Sequence, residues 1–163
     1  MGMKSRVIGA LFGAAFSGIA VLPSGTAAAA EDPYPYPIKA KNVQTGRCLD
    51  GDAKYNVYTH ACGDDNPYQK WNTFMGSKGM MLQSIKTGLC MTVTPDTGES
   101  RVFSEKCDSG NRKQWWEKRY VKDSKYALIN AQTRMALDSN DKGNAYTKVF
   151  DVNNPYQQWV IWY

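Results

Sequence analysis

The chain has 163 residues, with 20 Lys and Arg against 15 Asp and Glu and a net charge of +5 at neutral pH. That length admits one ordinary domain, and basic residues scattered without a run argue against a nucleic-acid-binding surface. A single histidine and four widely spaced cysteines leave a zinc site short of ligands, and no Gly-rich phosphate loop is present, so neither metal nor cofactor is expected.

In chain order, residues 1–30 read as a signal peptide. Lys4 and Arg6 supply its positive start, Val7 to Leu22 is apolar and uncharged, and Ala27-Ala28-Ala29-Ala30 offers a small-residue cleavage site. The apolar run is short for a membrane span, which needs roughly 20 residues, so a secreted, extracellular chain without a membrane span after cleavage is expected. Its removal takes two basic residues and no acidic one, lowering the net charge to +3. Residues 31–37 form a short proline- and tyrosine-rich arm, and residues 38–163 form the domain.

That domain repeats three times. Each copy closes on Gln-x-Trp: Gln69 with Trp71, Gln114 with Trp116 and Gln157 with Trp159, so that successive Trp residues are 45 and 43 apart. Thr45, Thr87 and Thr133 coincide, as do Leu49, Met91 and Leu137. Copies one and three align without a gap at an offset of 88, sharing Asp50/Asp138, Asn56/Asn144, Tyr58/Tyr146 and the unchanged closing stretch Asn66-Pro67-Tyr68-Gln69/Asn154-Pro155-Tyr156-Gln157. The middle copy carries three extra residues in the turn-rich segment from Pro95 to Ser100.

Short runs bounded by Gly, Asp, Asn and Pro recur in every copy, among them Val57–Ala61, Arg101–Phe103 and Tyr146–Phe150. No helical period is sustained. Twenty aromatic residues suit a β-rich domain or a ligand surface. One such unit cannot bury its own apolar face, but three around an axis share a core, which predicts an all-β, pseudo-threefold fold. If the strand after Gln114 alternates, Trp115 points away from Trp116 as an exposed aromatic.

In an exported chain four cysteines read as two disulfides. Cys48 and Cys62 hold the same places in copy one as Cys90 and Cys107 in copy two. Copy three has Ala136 and Phe150 there, so both partners are lost together. Loss as a pair predicts Cys48–Cys62 and Cys90–Cys107, with the Phe150 ring filling space over Ala136.

The threefold Gln-x-Trp, the Cys-Leu-Asp at 48–50 and the cysteine nine residues before the Trp together resemble the ricin B-type lectin domains, also found as family 13 carbohydrate-binding modules. The resemblance runs from about Ile38 to Tyr163. It implies a β-trefoil of twelve strands with up to three shallow sugar sites, and a structural role for the motif: Trp71, Trp116 and Trp159 in the core, with Gln69, Gln114 and Gln157 bracing backbone. The family's sugar-binding carboxylate position is held by Asp50 and Asp138, and by Thr92 in copy two. Its stacking position is held by His60, Glu105 and Lys148, so only copy one keeps a ring there. Two twin pockets are therefore expected, Asp50 with Tyr58, His60, Asn66 and Tyr68, and Asp138 with Tyr146, Asn154 and Tyr156, while copy two is expected to be silent.

A non-catalytic carbohydrate-binding module follows, with a glycan or polysaccharide as partner. The alternative is a trefoil protein-interaction module, similar to receptor-binding toxin subunits or inhibitors, whose partner is a protein. An enzyme is not expected: His60 is the only imidazole available as a base, and Asp50 and Asp138 belong to different copies.

Overall fold

The computed structural model describes residues 36–95 and 99–163. The signal peptide, nearly all of the arm and residues 96–98 of the middle insertion lie outside the described residues.

Twelve strands follow one another in three sets of four. Repeat one holds β1 (Tyr36–Asn42), β2 (Cys48–Gly51), β3 (Val57–His60) and β4 (Trp71–Gly76). Repeat two holds β5 (Gly79–Ser84), β6 (Cys90–Val93), β7 (Ser100–Glu105) and β8 (Trp115–Lys122). Repeat three holds β9 (Lys125–Asn130), β10 (Ala136–Ser139), β11 (Ala145–Lys148) and β12 (Trp159–Trp162). The outer strands of each set pair in a closed ring, β1–β4–β5–β8–β9–β12 and back to β1, so the barrel leaves no free sheet edge. The inner strands form three hairpins, β2–β3, β6–β7 and β10–β11, that cap one end. Neighbouring hairpins meet through Asn56 with Phe103, Tyr58 with Asn144, and Tyr146 with Arg101. This is a β-trefoil.

The core explains why the motif Trp recurs. Trp71, Trp116 and Trp159 are all 0% exposed and share one apolar cluster with Ile38, Leu49, Leu82, Met91, Leu128 and Leu137. Each indole N–H donates to the carbonyl one residue beyond the Cys/Cys/Ala position: Trp71 to Leu49 at 3.2 Å, Trp116 to Met91 at 3.2 Å and Trp159 to Leu137 at 3.1 Å. A buried indole N–H without a partner costs free energy, so the same carbonyl is needed three times.

The motif Gln replaces a strand pairing. The Gln69 amide donates to Ala61 O at 2.9 Å and accepts from Gly63 N at 3.0 Å. Gln114 makes the same two bonds to Lys106 O and Asp108 N, and Gln157 to Val149 O and Asp151 N. Because this amide captures the backbone, β3 ends at His60 and β11 at Lys148, one and two residues short of the ends expected from the turn residues that bound the runs.

Both disulfides pair within their repeats as expected, Cys48 to Cys62 and Cys90 to Cys107, each with Cα atoms 5.0 Å apart. In repeat three Phe150 packs with Ala136 and Ile129. One expectation is corrected. Trp115 does face away from Trp116, yet it is only 3% exposed. That face is covered by Phe74, Met81 and the Cys90–Cys107 bridge, and the ring lies so close to Gly76 that a Cβ there would stand 2.6 Å from it. The indole N–H is held by Ser109 O at 2.9 Å.

Candidate functional site

Every candidate site is built from a cap hairpin and the single 3-10 turn that precedes the motif Trp. In repeat one that turn is Pro67–Gln69, with Pro67 in its first turn, where a missing N–H does no harm, and Asn66 as its N-cap. The Asn66 side-chain oxygen accepts from Tyr68 N at 3.0 Å. Its amide is then free to donate to Asp50 Oδ2 at 3.1 Å, and the Gln69 amide donates to the same oxygen at 2.9 Å. Asp50 is thus fixed by two side chains of the turn that follows its hairpin.

Asp50 lies opposite Tyr58 in the β2–β3 hairpin and is 2% exposed. Its second oxygen, Oδ1, is buried and has no hydrogen-bond partner. The Tyr58 hydroxyl, directly across the hairpin, is the donor that neighbours this carboxylate. Burial pushes the Tyr58 hydroxyl above its ordinary pKa, and the charges of Asp50 and Asp52 add to the shift. Tyr68 is half-buried and His60 is exposed, opposite Cys48. The structure therefore brings Asp50, Tyr58 and Asn66 together around one carboxylate, with Tyr68 on the adjoining turn and His60 at the hairpin end.

Repeat three reproduces the arrangement. Asn154 caps the turn Pro155–Gln157, accepts from Tyr156 N at 3.0 Å and donates to Asp138 Oδ2 at 3.3 Å. Asp138 is 2% exposed and opposite Tyr146. Burial pushes the Tyr146 hydroxyl up to about 12, with Asp138 as the next cause. Tyr156 donates instead to Asp141 Oδ2 at 3.3 Å.

Burial also raises the Asp138 carboxyl above the usual carboxylate range, against the opposing pull of Gln157, Tyr146 and Lys148. The folded state therefore holds this proton more tightly than the unfolded chain, and stability falls as pH rises from the ordinary carboxylate value through the raised one. Asp138→Asn removes that penalty. In thermal melts the variant should match or exceed the wild type at pH 7, and the difference should vanish below about pH 3, where the carboxyl is neutral in both the folded and the unfolded chain.

Repeat two holds a residue that sequence reasoning missed. Thr92 stands at the carboxylate position, opposite Phe103. The missing carboxylate is supplied from the neighbouring strand by Glu105, whose Oε1 accepts from the Asn111 amide at 3.1 Å and the Gln114 amide at 3.0 Å. Asn111 caps its own 3-10 turn as Asn66 and Asn154 do. Glu105 lies opposite Cys90, at the place of His60 and Lys148, and its longer side chain reaches the same two amides. The visible signal was the joint change, loss of an acid at 92 with gain of one at 105.

The profile of the ricin-type β-trefoil lectin domain matches residues 36–159. The chain belongs to this lectin family. A ricin-type lectin domain is a carbohydrate-binding module. No curated protein sequence matches the chain. Among solved structures, the lectin domain is similar to a designed threefold-symmetric protein, ThreeFoil, at 21% identity and a TM-score of 0.67 over 77% of this chain and 96% of that one. It is also similar to the Macrolepiota procera ricin B-like lectin solved with lactose, at 17% identity and a TM-score of 0.64 over 77% and 94%. SeviL bound to the asialo-GM1 saccharide matches at 12% identity and a TM-score of 0.63 over 77% and 95%. At these identities the likeness is one of fold.

Proposed function

We propose that the mature chain is a secreted, non-catalytic lectin module that binds a glycan through repeats one and three. The observation that carries this reading is the recurrent cluster of a hairpin carboxylate, a facing tyrosine, a capping Asn and a motif Gln in repeats one and three. Two sugar hydroxyls presented to such a carboxylate replace water with charge-assisted hydrogen bonds. Tyr58 and Tyr146 line the carboxylates, while Tyr68 and Tyr156 project from the turns beside them. The saccharide complexes of SeviL and the Macrolepiota procera lectin support a saccharide as the ligand class. Two disulfides in a small domain suit an oxidising, extracellular setting. Shallow sites bind weakly alone, and two on one polysaccharide gain by effective concentration.

A glycan array on the mature protein, followed by titration of the strongest hit, tests the reading. The double variant Asp50→Asn, Asp138→Asn keeps an acceptor for Gln69 and Gln157 while removing both charges, so the fold should survive. Binding should drop at least tenfold, about 1.4 kcal/mol. Unchanged binding by a folded double variant would remove these residues from the site.

A protein-interaction module is the second reading. It is favoured by Glu105 and Lys148, which leave repeats two and three without a ring at the family's stacking position. A protein partner captured equally well with and without competing free sugars is the outcome that selects it.

A further inference from the structure

The two best-matched repeats part company at residue 55. Their offset of 88 sets Tyr55 against Gly143. Both backbones are left-handed, at φ +68° and +87°. Both carbonyls tie one hairpin to the next: Tyr55 O accepts from Ser104 N at 3.0 Å, and Gly143 O from Thr59 N at 2.7 Å. That task uses backbone alone. Glycine adopts the conformation freely, whereas a bulky L-residue is strained there.

Burial does not repay the strain, because Tyr55 is 57% exposed. Arg134 is also left-handed where repeats one and two have glycine, and its side chain pairs with Glu117 at 3.3 Å. Tyr55 has no hydrogen-bonded side-chain partner among the described residues. What the tyrosine adds is an open ring, and strain kept at such a place points to function.

That ring lines a hollow of about 300 Å³ with Ala53, Tyr68, Lys86, Thr87 and Leu89. The Lys86 ammonium stands 5.9 Å from the Tyr68 ring centre, and no carboxylate pairs with it among the described residues. Repeat three has the opposite character. Asp141 takes the place of Ala53 and binds the Tyr156 hydroxyl, and the polar neighbour matching Lys86 is Gln44. No ring fits at residue 143, where a Cβ would stand 2.6 Å from Thr59 O. The repeat-one hollow thus offers a cation and two tyrosines, and the matching place in repeat three offers an acid and one tyrosine.

We propose that the repeat-one hollow takes an acidic pyranose, a uronate-type sugar of a glycan, with its C–H face on Tyr55 and Tyr68 and its carboxylate on Lys86. This rests on the carbohydrate reading above and adds a specificity to it. A carboxylate meets Lys86 through a charge-assisted bond, and aromatic faces receive the apolar side of a sugar ring.

The test titrates D-glucuronate and D-galacturonate against D-glucose and D-galactose, followed by NMR shifts, at low salt where the charge contribution is least screened. In the wild type, uronates should shift Tyr55, Tyr68 and Lys86 and bind at least fivefold more tightly than neutral hexoses. Lys86→Gln should abolish that preference while keeping the neutral affinity. Tyr55→Gly should weaken both sugar types at repeat one by about tenfold, converted at the usual 1.4 kcal/mol per decade, without lowering the melting temperature. Equal affinity for uronates and neutral hexoses, or a preference that survives in Lys86→Gln, overturns the inference and leaves the carbohydrate reading in place. If no sugar shifts any resonance, both fall together.

Discussion

Trp116→Ala should cost about 3–5 kcal/mol in equilibrium unfolding, the range for deleting a fully buried indole from a packed core. The ring is 0% exposed, and the cavity it leaves lies in the cluster that joins all three repeats. Removal also strips the Met91 carbonyl of its donor in a dry interior. Against a net stability of about 5–15 kcal/mol for a domain, one such substitution leaves the fold marginal and two should unfold it. Trp71 and Trp159 occupy matching places with matching bonds, so their alanine variants should show losses of similar size. Tyr120, 64% exposed on β8, is the control, and Tyr120→Ala, which loses only an edge contact with Tyr126, should move stability by no more than about 1 kcal/mol. Urea unfolding followed by tryptophan fluorescence measures all four. A loss below about 1 kcal/mol at Trp116 would mean that the barrel core is not where the stability resides.

Removing the Cys90–Cys107 bridge as a pair of alanines should cost about 3 kcal/mol. In the chain-entropy view a crosslink spanning 17 residues restricts the unfolded chain by about that much. The Cys48–Cys62 bridge spans 14 residues and should be worth nearly the same. The consequences differ in place. Cys90 and Cys107 pack with Trp115, Met81 and Phe74, so the second pair of substitutions also loosens a satellite cluster. The greater loss is therefore expected in repeat two. Hydrogen exchange of the two hairpins in each variant separates these effects, and reduction of both bridges together should lower the melting temperature by more than either alone. Repeat three shows why the fold tolerates one unbridged hairpin: Phe150 packs on Ala136 and Ile129 in place of the sulfurs.

The architecture was readable because one tertiary environment was written three times. A Trp that must reach the same carbonyl, a Gln that must seize the same backbone and a cysteine pair lost as a unit each leave a mark at fixed spacing. What stayed hidden depends on neighbours distant in sequence. Strand alternation gave the direction of Trp115 correctly, but not its cover, which comes from β4 and β5 and from the closeness that Gly76 allows. The Thr92 change looked like a lost acid because the reach of Glu105 across the hairpin belongs to side-chain length and register rather than to the aligned position. Tyr55 aligned with Gly143 in plain view, yet its meaning required the positive φ and the open ring. Of the candidate site, Asp50, Tyr58 and Asn66 were legible as a group, as were Asp138, Tyr146 and Asn154. That both carboxylates are buried and held by the motif Gln was not, since it follows from how the 3-10 turn folds over the hairpin.

A crystal structure of the mature protein with the best glycan from the array tests the central claim most directly. The account predicts a sugar hydroxyl within about 3 Å of a carboxylate oxygen of Asp50 or Asp138. A well-ordered sugar bound away from repeats one and three, touching none of Asp50, Tyr68, Asp138 and Tyr156, would contradict it.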